Sequence, residues 1–233
     1  MTDIAGSADS ADSAEIVVAV AGQPNSGKST IFNMLTGVRQ FVANYPGVTV
    51  EKRVGRADCR GHKLTLVDLP GTYSMTSYSL EERIARGFLL SGEPHLVLDV
   101  VDASNLERNL VLTFQLLEMR MPMVVSLNMM DVAEGGGVRI DPKRLSEQLG
   151  VRVVPTVAKK GRGKKEVCEA LMSTYESKDA VSDFRLDYGP QLEQSLATVE
   201  QALAADDRAS GYDLRWLTVR LMAGDQEVRK IFA

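Results

Sequence analysis

The chain is 233 residues long, 44% hydrophobic and 25% charged, which provides for a sizeable core and excludes a disordered chain. Its net charge of −4 argues against nonspecific binding to nucleic acid, and no run approaches the ~18 consecutive apolar residues that span a bilayer, so the chain as given is expected to be soluble. Cys59 and Cys168 show neither a CxxC spacing nor the density of a disulfide framework and read as packing residues of a reducing compartment, while His62 and His95 have no partner at a metal-ligand spacing, which argues against a histidine-based transition-metal site.

Residues 1–14 are small and acidic, lack the basic start and apolar middle of a signal peptide, and read as a disordered tail. The unbroken apolar run at 16–21 suits a buried parallel strand. It leads into GQPNSGKS at 22–29, which fits the phosphate-loop pattern of Gly, four variable residues, Gly, Lys and Ser or Thr. A helix over 30–35, ending at Gly37, completes the strand, loop and helix that such a loop requires. In that geometry the backbone of Gly22, Gln23, Pro24, Asn25, Ser26, Gly27 and Thr30 surrounds the phosphates at a helix N-terminus, Lys28 reaches the β and γ oxygens, and the Ser29 hydroxyl holds Mg2+.

Residues 38–50 are neither helix-periodic nor alternating and carry Asn44, Pro46 and Gly47 as breakers, which predicts a long, irregular, mobile loop. Segments 51–59 and 62–67 read as a hairpin turning at Arg60 and Gly61, the second running into Asp68-Leu-Pro-Gly71. Leu80, Ile84, Phe88 and Leu89 place one apolar stripe on a helix over 79–90, with Glu81 and Glu82 near its positive end. Strand 95–101, helix 106–119 and strand 123–127 follow, then Asn128-Met-Met-Asp131. Asp141 and Pro142 open a helix to 149 as cap and first residue, and strand 151–157 and helix 167–175 close the pattern. The basic run at 159–165, KKGRGKK, reads as a solvated loop beside an anionic ligand rather than an RNA contact.

This alternation predicts an α/β fold, a mostly parallel sheet flanked by helices of the Ras-like P-loop GTPase type, with ligand chemistry at the carboxyl ends of the strands. Beyond 177 the pattern changes to a linker over 179–190 and helices at 191–203, 214–222 and 226–232, a small all-helical appendage with Trp216 as a core residue. The expected division is a tail at 1–14, a G domain at 15–178 and a helical domain at 179–233.

Four elements follow the phosphate loop in the order that a guanine-nucleotide domain needs. Thr49 can reach Mg2+ through its hydroxyl and the γ-phosphate through its N–H, so nucleotide state would order or release the loop before it; Thr36 is a weaker rival because it sits in the helix. Asp68 would hold Mg2+ through water, and the Gly71 N–H can approach the γ-phosphate because no side chain blocks it. Asn128 and Asp131 form the base motif, in which the Asp131 carboxylate accepts two hydrogen bonds that guanine offers and adenine does not. Met129 stands where most GTPases have Lys and can still pack on the base, which predicts modest nucleotide affinity. Thr72 replaces the water-aligning Gln of Ras-type enzymes, whose own intrinsic rate is only roughly 10⁻⁴ per second, so hydrolysis needs other help. Asn25 offers a side-chain carbonyl where a monovalent cation could stand in for an arginine finger.

These residues resemble the FeoB family of bacterial ferrous iron transport proteins, in their cytosolic G domain. The matching stretches are GQPNSGKSTIFNMLTG, NYPGVTVEK, DLPGTYSMTSYSLEERIAR, VVDASNLERNL and LNMMD. The resemblance implies potassium-stimulated GTP hydrolysis, with Asn25 at the potassium-ligand position and the loop of Gly47, Val48 and Thr49 completing that site. It also implies a guanine-contact loop TVAKKGRG with Val157, Ala158 and Lys159, where Val157 replaces a common Ser and offers its backbone N–H. A helical domain, described in the family as a guanine-nucleotide dissociation inhibitor domain, follows and looks shorter than usual here. Implied partners are GTP or GDP and the membrane permease region of the same full-length protein, at the cytoplasmic face of the bacterial inner membrane. No nucleic-acid partner is implied, and an oligomer is admitted. A slow switch that recruits a partner, and a ribosome- or tRNA-associated GTPase, share the same motifs; the acidic balance counts against the latter.

Overall fold

The computed structural model describes residues 15–37, 40–76, 78–177 and 180–233. The tail expected at 1–14, residue Val38 of the expected loop and the domain boundary placed between 178 and 179 lie outside the described residues. Among those described, the strands are β1 (Ile16–Gly22), β2 (Gln40–Asn44), β3 (Glu51–Cys59), β4 (His62–Asp68), β5 (Leu96–Asp102), β6 (Met123–Asn128) and β7 (Arg152–Pro155). They form one sheet in the order β2-β3-β4-β1-β5-β6-β7. The five strands from β4 to β7 are parallel, and β2 and β3 add an antiparallel edge. No helix of the described residues is long and apolar enough to cross a membrane.

Strand periodicity sorts the side chains into two cores. Ile16, Val18 and Val20 of β1 join Leu64, Leu66, Leu96 and Leu98 on the face covered by α1 (Lys28–Thr36) and α6 (Lys164–Glu176), where Ile31, Phe32 and Leu171 are buried. Ala19 and Ala21 face the other way with Val67, Val97 and Val125. That face is covered by α2 (Leu80–Leu90), α3 (Leu106–Glu118) and α5 (Pro142–Leu149). Truncating a residue such as Phe32 to Ala would cost about 3–5 kcal/mol. The helices α7 (Pro190–Leu203), α8 (Leu214–Met222) and α9 (Gln226–Arg229) pack on the α2–α3 face, since Leu203, Trp216, Leu217 and Val228 belong to the same apolar cluster. Trp216 is a core residue that stacks on Tyr212.

Charge crosses the same seam. Arg86 of α2 pairs with Asp225, the N-cap of α9, both side chains being buried. Glu118 of α3 accepts from Arg220 Nη2 of α8 at 3.2 Å and from the Tyr188 hydroxyl. The segment before α7 is coil, as expected, yet it is pinned: Ser182 Oγ donates to Leu149 O at 2.6 Å, Arg120 donates to Ser182 O, and Phe184 stacks on Phe114 at 5.4 Å.

Three expectations are corrected. Residues 40–44 form a strand, not part of an irregular loop: β3 offers an open edge, and Phe41 registers with Val54 and Asn44 with Glu51. All five β2 side chains are exposed, so no alternation marked it in the sequence. Cys59 and Cys168 are not a reduced pair of packing residues but a disulfide. Their separation of 109 residues hid the fact that the end of β3 lies against α6, with the two Cα atoms 5.2 Å apart. Finally, α6 begins at Lys164, so the end of the basic run is helical.

Two predictions follow from this packing. The oxidised chain should be more stable than the reduced one by about 2–5 kcal/mol, read as the shift in urea midpoint with and without a thiol reductant; equal midpoints would contradict the Cys59–Cys168 bond. Asp99 of β5 is fully buried and accepts from Thr113 Oγ1 at 2.6 Å; burial pushes its carboxyl up to about 6. A raised acid binds its proton more tightly folded than unfolded, so stability should rise as pH falls through about 6. That gain amounts to about 1 kcal/mol between pH 8 and pH 5, and the slope should vanish in Asp99→Asn.

Candidate functional site

The motif loops meet at the carboxyl ends of β1, β4, β6 and β7. Between β1 and α1 the backbone turns sharply: Asn25 has φ 68° and Gly27 φ 88°, and Ser26 N donates to Gln23 O at 3.2 Å. The buried Gln23 side chain donates to Arg108 O of α3 at 2.6 Å, which holds the start of the loop against the neighbouring element. Helix α1 opens at Lys28 and presents its first N–H groups, with those of the loop, to one spot. Lys28 forms an ion pair with Asp68, and both side chains are largely buried. Ser29 is exposed beside them.

Asn128, at the end of β6 and 2% exposed, joins three motifs. Its Nδ2 donates to Ser26 O at 3.0 Å, and its Oδ1 accepts from Ala158 N at 3.1 Å. Gly27 is required by this contact, since a Cβ there would lie 2.2 Å from Asn128 Nδ2. Met129, at φ 60°, caps α4 (Met130–Gly135), a helix that sequence periodicity did not announce, and Asp131 lies in its first turn. Asp131 Oδ1 accepts from Val132 N at 3.1 Å, and Oδ2 pairs with Lys160 Nζ at 2.8 Å. The Lys160 hydrogen bond holds the Asp131 carboxyl below the usual range.

A cavity of about 230 Å³ is bounded by Gly27, Thr30, Asn128, Met129, Asp131 and Lys159, with Val157 and Ala158 at its wall. A larger hollow of about 810 Å³ lies beside Cys59 and Cys168, among Arg60, Arg162 and Lys164, and none of the motif residues borders it. The smaller cavity is therefore the one the motifs build. The Val157 N–H, expected to face a base, donates instead to Arg162 O at 3.1 Å, and Arg162 N donates back to Val157 O. This closes the loop around a tight turn at Ala158–Lys160.

Thr49 is exposed in the turn after β2, which is closed by Tyr45 N donating to Val50 O at 3.0 Å. Gly47 and Val48 lie in that turn. Sequence reasoning missed Tyr45, which is buried and donates its hydroxyl to Asp68 O at 3.3 Å, tying the Thr49 turn to the strand that carries Asp68. Burial, then the Asp68 charge, pushes the Tyr45 phenol upward and keeps it a donor. The signal was one aromatic among breakers. Thr36 is excluded as a rival to Thr49, because it is buried and its hydroxyl donates to Phe32 O at 2.8 Å. Gly71 sits against Pro24, where a Cβ would make an ordinary 3.5 Å contact, so protein sterics alone do not demand glycine there. Glu82 was read only as a favourable charge. It completes a capping box with Ser79 and also accepts from Ser74 Oγ at 2.7 Å and Tyr78 N at 3.0 Å, fastening the segment after Gly71 to α2.

The donor set decides which metal fits. Among the described residues no cluster of three or more His, Cys, Asp or Glu side chains could hold an ion. Hydroxyls of Ser29 and Thr49 with the single Asp68 carboxylate are hard oxygen donors that suit Mg2+ shared with phosphate, not a transition metal.

Comparison with known proteins gives the same direction. Residues 16–171 match the family model described as ferrous iron transport protein B, and residues 188–233 that of the FeoB cytosolic helical domain. The chain is 45% identical over 216 residues to the Fe(2+) transporter FeoB of Salmonella choleraesuis, covering 91% of the chain and 27% of that protein. It thus spans about a quarter of the length of such curated relatives. The cytosolic domain of the T. maritima FeoB iron transporter in a GDP form superposes with a TM-score of 0.89 at 37% identity, covering 93% of this chain and 84% of that one. The GMPPNP form of the same domain gives 0.87 at 37% identity, covering 92% and 84%.

Gly27→Ala should displace Asn128 from Ser26 and strain a left-handed position. The expected outcome is a loss of about 1–3 kcal/mol in urea unfolding together with loss of GDP binding by calorimetry; unchanged binding would mean that Asn128 does not hold the loop.

Proposed function

The chain belongs to the FeoB family, and from that premise we propose that it is a Mg2+-dependent, slowly turning over GTPase module that regulates ferrous iron passage through the permease region of its full-length protein. The G domain spans 15–178 and the helical domain 179–233, working at the cytoplasmic face of the bacterial inner membrane without a nucleic-acid partner. The observation that carries this reading is the Asn128 junction, which brings the phosphate loop, Asp131 and the Val157–Lys159 turn around one cavity.

In this reading Gly22, Gln23, Pro24, Ser26, Gly27 and Thr30 cradle the phosphates and Lys28 neutralises them, while Ser29, Thr49 and Asp68 hold Mg2+. The Lys28–Asp68 pair then separates, each charge acquiring an ionic partner of its own. Gly71 donates its N–H to the γ-phosphate, and Met129, Val157, Ala158 and Lys159 line the base slot that Asp131 makes selective for guanine. Asn25, exposed in a left-handed turn, holds potassium together with the Gly47–Thr49 turn. Potassium so held supplies a fixed positive charge where negative charge gathers during hydrolysis. Thr72 is buried and cannot align water as a Gln would, which is why turnover without the cation is slow.

The test is single-turnover GTP hydrolysis in potassium against sodium at equal ionic strength, for the wild type and Asn25→Ala. Potassium should raise the wild-type rate by at least about tenfold, the scale of one lost transition-state contact, and leave the variant unchanged. Equal slow rates in both salts would remove the cation from the mechanism.

A further inference from the structure

Beyond the motif residues, one basic side chain stands on the group that selects the base. Lys160 Nζ is 2.8 Å from Asp131 Oδ2. Its backbone is fixed: Lys160 N donates to Val157 O at 2.9 Å, Gly161 N to Ala158 O at 3.0 Å, and the Val157–Arg162 pair closes the turn. Asp131 is fixed as well, by the first turn of α4 and by Val132 N on Oδ1. The ammonium therefore meets the carboxylate because two ordered elements bring it there, at the rim of the cavity that Asp131 borders.

We propose that Lys160 is a built-in competitor for the guanine base, holding the Asp131 oxygen that the base needs and so setting how tightly guanine nucleotides bind. The inference rests on the guanine-selecting role of Asp131 given above. A carboxylate that reads guanine accepts from the ring N–H and the exocyclic amino group in parallel, one per oxygen. Lys160 occupies Oδ2, so the base either displaces the ammonium or shares the oxygen with it and accepts a weaker hydrogen bond. Both routes lower affinity. The penalty is modest because Lys160 is 61% exposed and its ammonium returns readily to water. A clamp that merely positioned Asp131 would act in the opposite direction, which makes the sign of the effect diagnostic.

The experiment measures the GDP dissociation constant of the whole chain by fluorescence titration at low and at high salt, for the wild type, Lys160→Met, Lys160→Arg and Asp131→Asn. Lys160→Met keeps the aliphatic stem and removes the charge. It should bind GDP about two- to fivefold more tightly at low salt, with the gap closing as salt screens the pair, while Lys160→Arg stays at the wild-type value. Unchanged or weaker binding by Lys160→Met at low salt would overturn the proposal. Asp131→Asn should lose GDP affinity, and adding Lys160→Met to it should change nothing further, since the charge pair is already gone. If Asp131→Asn bound GDP as the wild type does, the base-selecting reading itself would fail; a null Lys160→Met beside a defective Asp131→Asn would remove the competitor alone.

Discussion

One buried amide holds the nucleotide machinery together. Asn128 can reach Ser26 O and Ala158 N at once only because β6 lies beside β5 in the sheet and the loop after β7 folds back over its end. Buried as it is, each of its bonds is worth more as an obligation than as a gain: an unsatisfied amide there costs about 1–3 kcal/mol, whereas a satisfied bond contributes about 1 kcal/mol net. Gly27 answers the same constraint from the other side, leaving the volume that Asn128 Nδ2 occupies. Phosphate loop, base motif and base loop are thus parts of a single hydrogen-bonded unit.

A second tie runs from the exposed edge of the sheet. β2 carries no buried side chain and adds little hydrophobic stabilisation, so the turn that bears Thr49 depends on the Tyr45 hydroxyl and the Tyr45–Val50 bond for its position. The hydroxyl lands on the backbone of Asp68, whose carboxylate pairs with Lys28. Through one aromatic side chain, the segment proposed to sense the γ-phosphate is attached to the residue proposed to hold the metal.

Much of this was legible in the residues. The apolar run before Gly22, the GQPNSGKS loop and the order of Asp68, Asn128 and Asp131 announced a parallel sheet with its chemistry at the strand ends, because buried parallel strands and glycine loops leave strong local signals. Other features are products of tertiary packing and leave none. β2 exists because β3 offers an edge. Cys59 meets Cys168 because α6 crosses beneath the end of β3. Lys160 looked like one charge in a basic run, and only the turn at Ala158–Lys160 turns it toward Asp131.

The Arg86–Asp225 pair gives the seam between the two regions a particular mechanical character. Arg86 stands on the helix that follows Gly71, and neither charge has water to fall back on. Stretching such a pair does not weaken it smoothly, since separating buried charges exposes each to an uncompensated desolvation cost of about 3–5 kcal/mol. A rotation of α2 is therefore not absorbed by degrees at this point: either the start of α9 travels with α2 as one piece, or the contact lets go outright. The seam behaves as a latch with two positions rather than as a spring.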